Sequence, residues 1–177
     1  YIPHLSQSIC APTLLVEAVV TGGGVPICIV LVVGASCNTV VVVPTSGMPT
    51  TPGLVELFTP LNNNIYGNRV VILMDCPSDQ TKGGVEDFRN RHEHLESNSQ
   101  IFILDKRDIE QCYPNHEDDT YGNWQKTQEQ VDAMNGKKKK KLAIKVGDTI
   151  TKEEFESSML TCFNALKRCW ELSFKEL

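Results

Sequence analysis

Arg69-Val70-Val71-Ile72-Leu73-Met74-Asp75 and, further on, Ile101-Phe102-Ile103-Leu104-Asp105-Lys106-Arg107-Asp108-Ile109-Glu110-Gln111-Cys112-Tyr113-Pro114 decide the reading of this chain. Each contains an unbroken apolar run, residues 70–74 and 101–104, the pattern of a strand buried on both faces rather than of one with a wet side. Each run then ends abruptly in acids. Ligands of open α/β sheets bind outside the carboxyl ends of the strands, so acids at those ends are placed to hold a cation. Taken singly, Asp75 at a turn, or Asp108 and Glu110 on a solvated helix, would be ordinary surface carboxylates. The repetition of the pattern is what points to a site.

Between the two runs, Val85, Phe88, His92 and Leu95 recur at helical spacing in an otherwise charged stretch. Strand, amphipathic helix and strand in that order predict βα units with right-handed crossovers, hence an α/β fold with a mostly parallel sheet flanked by helices. Upstream, residues 13–16 and 39–43 are short β-prone runs, the second almost pure valine and closed by Pro44, and both read as interior strands. Residues 27–33 are β-branched where a parallel sheet would want a crossover helix, so propensity and topology disagree there. Residues 53–58, between Pro52 and Pro60, leave room for only a short helix.

Downstream of Pro114 a polar loop over residues 115–122 leads into a basic helical segment through Lys141 and Val146. Thr151-Lys152-Glu153-Glu154 has the form of a capping box, in which the Thr side chain takes one orphan N–H and Glu154 reaches back to another. Phe155, Met159, Cys162, Phe163, Leu166, Cys169 and Trp170 then form one apolar stripe that packs on the domain or on a partner. The division expected is an α/β domain over residues 1–122 and a C-terminal helical extension over residues 123–177. A chain of 177 residues, 41% hydrophobic, supports one such domain with a real core. It starts at Tyr1 and runs straight into apolar sequence, as expected of a piece of a longer protein.

Acidic residues outnumber basic ones, 22 to 17, for a formal net charge of −5, which argues against gripping nucleic acid by bulk charge. Any contact with a polyanion is then local or metal-mediated. The 7 cysteines include no C-x-x-C pair and are odd in number, so neither a complete disulfide framework nor a zinc ribbon is indicated, and a reducing, cytoplasmic setting fits. Residues 25–33 are apolar but fall well short of the ~20 needed to span a bilayer, so no membrane partner is expected.

Glu17, Asp75, Asp79 and Glu110 each stand at or just beyond the end of an expected strand. Mg²⁺ and Mn²⁺ prefer carboxylate and water oxygens, and a parallel sheet gathers the ends of different strands. The run of cations at Lys137, Lys138, Lys139, Lys140 and Lys141 is the only concentrated positive charge, the natural place for contact with a DNA backbone or, equally, a solvated helix face. His92 and His94, two apart on a helix, point to nearly opposite sides and do not chelate one ion. Gly22-Gly23-Gly24 lacks the following Gly-Lys-Ser/Thr of a phosphate-binding loop.

With these residues in view, the chain resembles the Toprim (topoisomerase-primase) nuclease domain at the C-terminus of OLD-family (overcoming-lysogenization-defect) ATP-dependent endonucleases. The matching pieces are Leu14-Leu15-Val16-Glu17, the strand ending in Asp75, the passage from Leu104 to Pro114, and the tail from Ile150-Thr151-Lys152-Glu153-Glu154-Phe155 to Cys169-Trp170-Glu171-Leu172. The resemblance implies a Toprim-like fold and Mg²⁺- or Mn²⁺-dependent hydrolysis of DNA. Glu17, Asp75, Asp79 and Glu110 would be metal ligands, and Lys106 or Arg107 would neutralise the phosphate. It further implies an ATPase domain on the same or another chain, a homo-oligomer, and a place in prokaryotic anti-phage defence. Two departures stand out. The family has glycine after its first glutamate, where this chain has Ala18, and Asp-x-Asp after its second strand, where this chain has Asp75-Cys76-Pro77. They motivate the alternative of a non-catalytic scaffold that docks DNA or a partner subunit.

Overall fold

The computed structural model describes residues 28–33, 40–45 and 70–173. The expected strand at 13–16, Glu17 and the short helix at 53–58 lie outside the described residues. The fold class is mixed α/β. Four strands, β1 (Cys28–Val33), β2 (Val40–Thr45), β3 (Val70–Met74) and β4 (Ile101–Ile103), form one sheet in the order β2-β1-β3-β4.

The sheet is not mostly parallel. Among the described strands only β3 and β4 run parallel, with Leu73 opposite Phe102, while β1 is antiparallel to both β2 and β3. Chain length supplies the reason for the first pair: residues 34–39 suffice for a hairpin, whereas a parallel return needs a crossover of about a dozen residues or more. Within the β-branched segment, residues Cys28–Val33 are accordingly a strand, as their propensity indicates. Among the described strands β2 lies at an edge of the sheet, not in its interior, which is where a strand tolerates Pro44.

All five residues of β3 are buried, and they alternate between two cores. Val70, Ile72 and Met74 face Val85, Phe88 and Leu95, which come from α1 (Lys82–Arg91) and α2 (Glu93–Ser97). Val71 and Leu73 face the opposite way, toward Trp124, Leu142, Val146, Cys162 and Cys169. In β4 the same alternation sends Ile101 and Ile103 to the first core and Phe102 to the second. The sheet therefore has helices on both faces.

The spacing of Val85, Phe88, His92 and Leu95 does mark one buried face. The helix it belongs to breaks at His92, whose φ of −117° and ψ of 43° are not helical. Gln100 then closes the unit, its side chain donating to the Val70 carbonyl.

A 3₁₀ turn (Ile109–Gln111) follows β4, and a small hairpin, β5 (Glu117–Asp118) and β6 (Gly122–Asn123), follows the turn. Asp118 Oδ1 accepts from the N–H groups of Thr120 and Tyr121, and Gly122, at φ 63°, adopts the left-handed conformation open to a residue without a Cβ. The C-terminal helices are α3 (Gln128–Asp132), α4 (Gly136–Thr149), α5 (Lys152–Ser158) and α6 (Leu160–Ser173). Thr151 makes both bonds of the expected capping box at the start of α5.

The expected single stripe is broken at Met159, where the backbone leaves the helix (φ −113°, ψ 42°) before α6 begins. The buried residues of α6 are Cys162, Ala165, Cys169 and Leu172, one helical face that packs across β1, β3 and β4. Trp170, about 100° round the helix from Cys169, is 43% exposed rather than part of that face.

Candidate functional site

The carboxyl ends of β3 and β4 lie together because their hydrogen bonding continues past the strands. Leu104 N–H donates to the Met74 carbonyl at 2.8 Å, and Cys76 N–H donates to the Lys106 carbonyl at 3.3 Å. Asp75 and Asp105 thus leave the sheet at the same end, on adjacent strands. Asp75 is buried at its neck, 9% exposed, and Asp105 is exposed.

Beneath these acids sit two thiols. Cys112 Sγ donates to Asp105 Oδ1 at 3.8 Å. Burial pushes the Cys112 thiol up to about 11, with the Asp105 carboxylate the next largest cause and Asp75 a smaller one. Burial likewise pushes Cys162 up to about 12, with Cys112 and Asp75 adding to the effect. Both thiols are therefore protonated near neutral pH, and neither offers a nucleophile or a soft metal ligand there.

Glu110 occupies the middle of the 3₁₀ turn and is only 2% exposed. Burial raises its pKa; a backbone hydrogen bond and the Lys139 charge oppose the rise, and Asp108 adds to it. The turn is clamped from two directions. Asp108 Oδ1 lies 3.5 Å from Lys139 Nζ of α4, and Asp108 Oδ2 accepts from Gln128 Nε2 of α3 at 3.0 Å. Lys126 N–H donates to the Glu110 carbonyl at 3.0 Å, while its ammonium holds the Tyr121 and Asn123 carbonyls at the hairpin.

The remaining expected residues are at the surface. Asp79 is exposed in the turn before α1, where the Thr81 hydroxyl accepts the Ser78 N–H. Lys106 and Arg107 are exposed on the loop between β4 and the 3₁₀ turn. The lysine run divides: Lys137, Lys138, Lys140 and Lys141 are exposed, whereas Lys139 lies on the inner face of α4 with Leu142 and Val146, its side chain 16% exposed.

Carboxylates are the right donor type for Mg²⁺ or Mn²⁺. Among the described residues, however, no three His, Cys, Asp or Glu side chains form a group that could hold a metal ion. Asp75, Asp79 and Glu110 therefore do not fit a complete ion site by themselves, and Glu17 lies outside the described residues.

Sequence reasoning passed over Asp105, although the signal was present: the apolar run at 101–104 ends in Asp105 as the run at 70–74 ends in Asp75. The chain matches no protein-family model, no curated protein and no solved structure. Among the described residues, no helix is long and apolar enough to cross a membrane.

Proposed function

We propose that this chain is a Toprim-like module that hydrolyses DNA phosphodiester bonds with Mg²⁺ or Mn²⁺, as the nuclease part of an OLD-type ATPase–nuclease in anti-phage defence. The observation that carries this reading is the placement of Asp75 and Asp105 at the adjoining carboxyl ends of the two parallel strands, where α/β sheets hold their ligands. The exposed Lys106 and Arg107 follow directly from that edge. Arg107 offers a planar fork suited to paired hydrogen bonds with a phosphate, and Lys106 a compact positive charge. The ligand set of an active site would have to be completed from beyond the described residues, with Glu17 the residue proposed for it.

Two observations favour the second reading, a scaffold that docks DNA or a partner subunit without cutting. Glu110 is buried beside the Asp108–Lys139 pair rather than presented at the surface, and Pro77 stands where a second acid would be expected. The two readings separate in the intact protein, using plasmid DNA with Mg²⁺, Mn²⁺ or EDTA and the variants Asp75→Asn and Glu110→Gln. The nuclease reading expects metal-dependent cleavage that falls to background in both variants, each still folded by circular dichroism. No cleavage by the parent supports the scaffold instead, whereas full metal-dependent cleavage by a folded Glu110→Gln removes Glu110 from the active site.

A further inference from the structure

A run of five lysines at the start of α4 invites treatment as one cationic patch, but geometry separates one member from the others. Lys139 is three residues before Leu142 and seven before Val146, the two buried residues of the helix, and so shares their face. Its stem is covered, its side chain is 16% exposed, and its ammonium meets Asp108 Oδ1 across 31 positions of sequence. The other four lysines are exposed.

Asp108 is the residue on which the 3₁₀ turn depends. Its N–H donates to Gln111 Oε1 at 3.0 Å, its carbonyl accepts the Gln111 N–H at 3.0 Å, and its second carboxylate oxygen takes the Gln128 amide. Glu110, at the centre of the same turn, is carried by that backbone and is only 2% exposed. A cation held on the inner face of a helix, opposite two acids of a buried turn, is poorly disposed to meet a DNA phosphate, and its withdrawal would leave both acids without their nearest positive charge.

We propose that Lys139 is a positioning residue: through Asp108 it holds the 109–111 turn and thereby sets Glu110, and it is not one of the DNA-contacting lysines. Its link to cleavage rests on the nuclease reading above, whereas its hold on the turn does not.

The test compares Lys139→Met, Lys139→Arg and Lys138→Met in the intact protein, with Asp108→Asn as a second route to the same contact. Hydrogen exchange of the amides of Gln111 and Cys112, which donate to the Asp108 and Ile109 carbonyls, is expected to quicken about tenfold or more in Lys139→Met and Asp108→Asn. Lys139→Arg should restore the parent rate, and Lys138→Met should leave it unchanged. In DNA binding, Lys138→Met should lower the salt slope by about 1, and Lys139→Met should leave it unaltered. In cleavage, Lys139→Met should reduce kcat with KM for DNA intact.

If the parent neither binds nor cuts DNA, the nuclease reading fails and the exchange comparison still decides the role of Lys139. Unchanged exchange in both Lys139→Met and Asp108→Asn overturns the proposal, as does a fall in salt slope for Lys139→Met equal to that for Lys138→Met.

Discussion

Leu142 and Ile144 stand two residues apart on α4, and the fold assigns them opposite fates. Leu142 is fully buried in the core that includes Val71, Trp124 and Cys162, while Ile144 is 52% exposed. Truncating each to alanine removes a similar amount of apolar side chain, so the difference in cost reports which face of the lysine-rich helix meets the sheet. For Leu142→Ala, lost transfer energy and an incompletely collapsed cavity cost about 2–5 kcal/mol. For Ile144→Ala, part of the side chain already lies in water and alanine is the better helix former, so the net effect stays within about 0.5 kcal/mol.

Urea unfolding followed by circular dichroism measures both. With a slope of about 2 kcal/mol per molar urea, Leu142→Ala should lower the midpoint by roughly 1–2.5 M and leave the slope unchanged, since the surface exposed on unfolding is the same. In melting, the same loss corresponds to roughly 4–20 °C. Equal costs for the two variants, or a cost below about 1 kcal/mol for Leu142→Ala, would refute the docking of α4 through Leu142 and Val146, and with it the inward placement of Lys139.

The Glu154 carboxyl is held below its ordinary value of 4.5, first by the Thr151 N–H and then by the Thr151 hydroxyl, with His116 adding to these. A folded-state pKa that is depressed contributes stability above the ordinary value and loses it as pH falls through the folded one, so Glu154→Gln should destabilise at neutral pH and cost progressively less below pH 4.5 in pH-dependent melting. The thiols move the other way. Burial raises Cys112 from 9.0 to about 11 and Cys162 and Cys169 to about 12, so stability should fall as pH rises from about 9 toward 11–12. At pH 8 iodoacetamide should label the partly exposed Cys76 well before these three.

Much of the middle of the fold was legible because burial there leaves a plain trace. Five consecutive apolar residues at 70–74 have no polar side to present, and Val85, Phe88, His92 and Leu95 recur as a helix must to keep one face dry. Thr151 and Glu154 announce a helix start through side chains suited to its orphan amides. Strand direction left no such trace. The antiparallel pairing of β1 with β3 depends on contacts distant in sequence, and a run of valines reads the same in either sense. A local break at Met159 was equally silent, and a stripe extended through it wrongly enrolled Trp170.

The candidate site was legible in its position but not in its membership. Asp75 follows from the end of an apolar run, but Asp105, which obeys the same rule, was masked by the more conspicuous Glu110 passage. Lys139 was hidden for a different reason: among five identical residues no contrast of polarity marks the inward one, and only its register with Leu142 and Val146 does.

The alternation along β3 has a consequence for how the protein comes apart. Val70, Ile72 and Met74 belong to one core and Val71 and Leu73 to the other, so this one strand is a party wall. Neither side can melt while the wall stays fully buried, and the wall cannot be withdrawn from one side alone. Heat or denaturant should therefore dissolve both in a single cooperative transition, although no buried side chain of α1 or α2 belongs to the cluster built by the C-terminal helices. Inserting one residue within β3 would turn every following side chain of the strand to the opposite room, whereas the same insertion at exposed Asp119 or Thr120 in the hairpin loop would disturb neither.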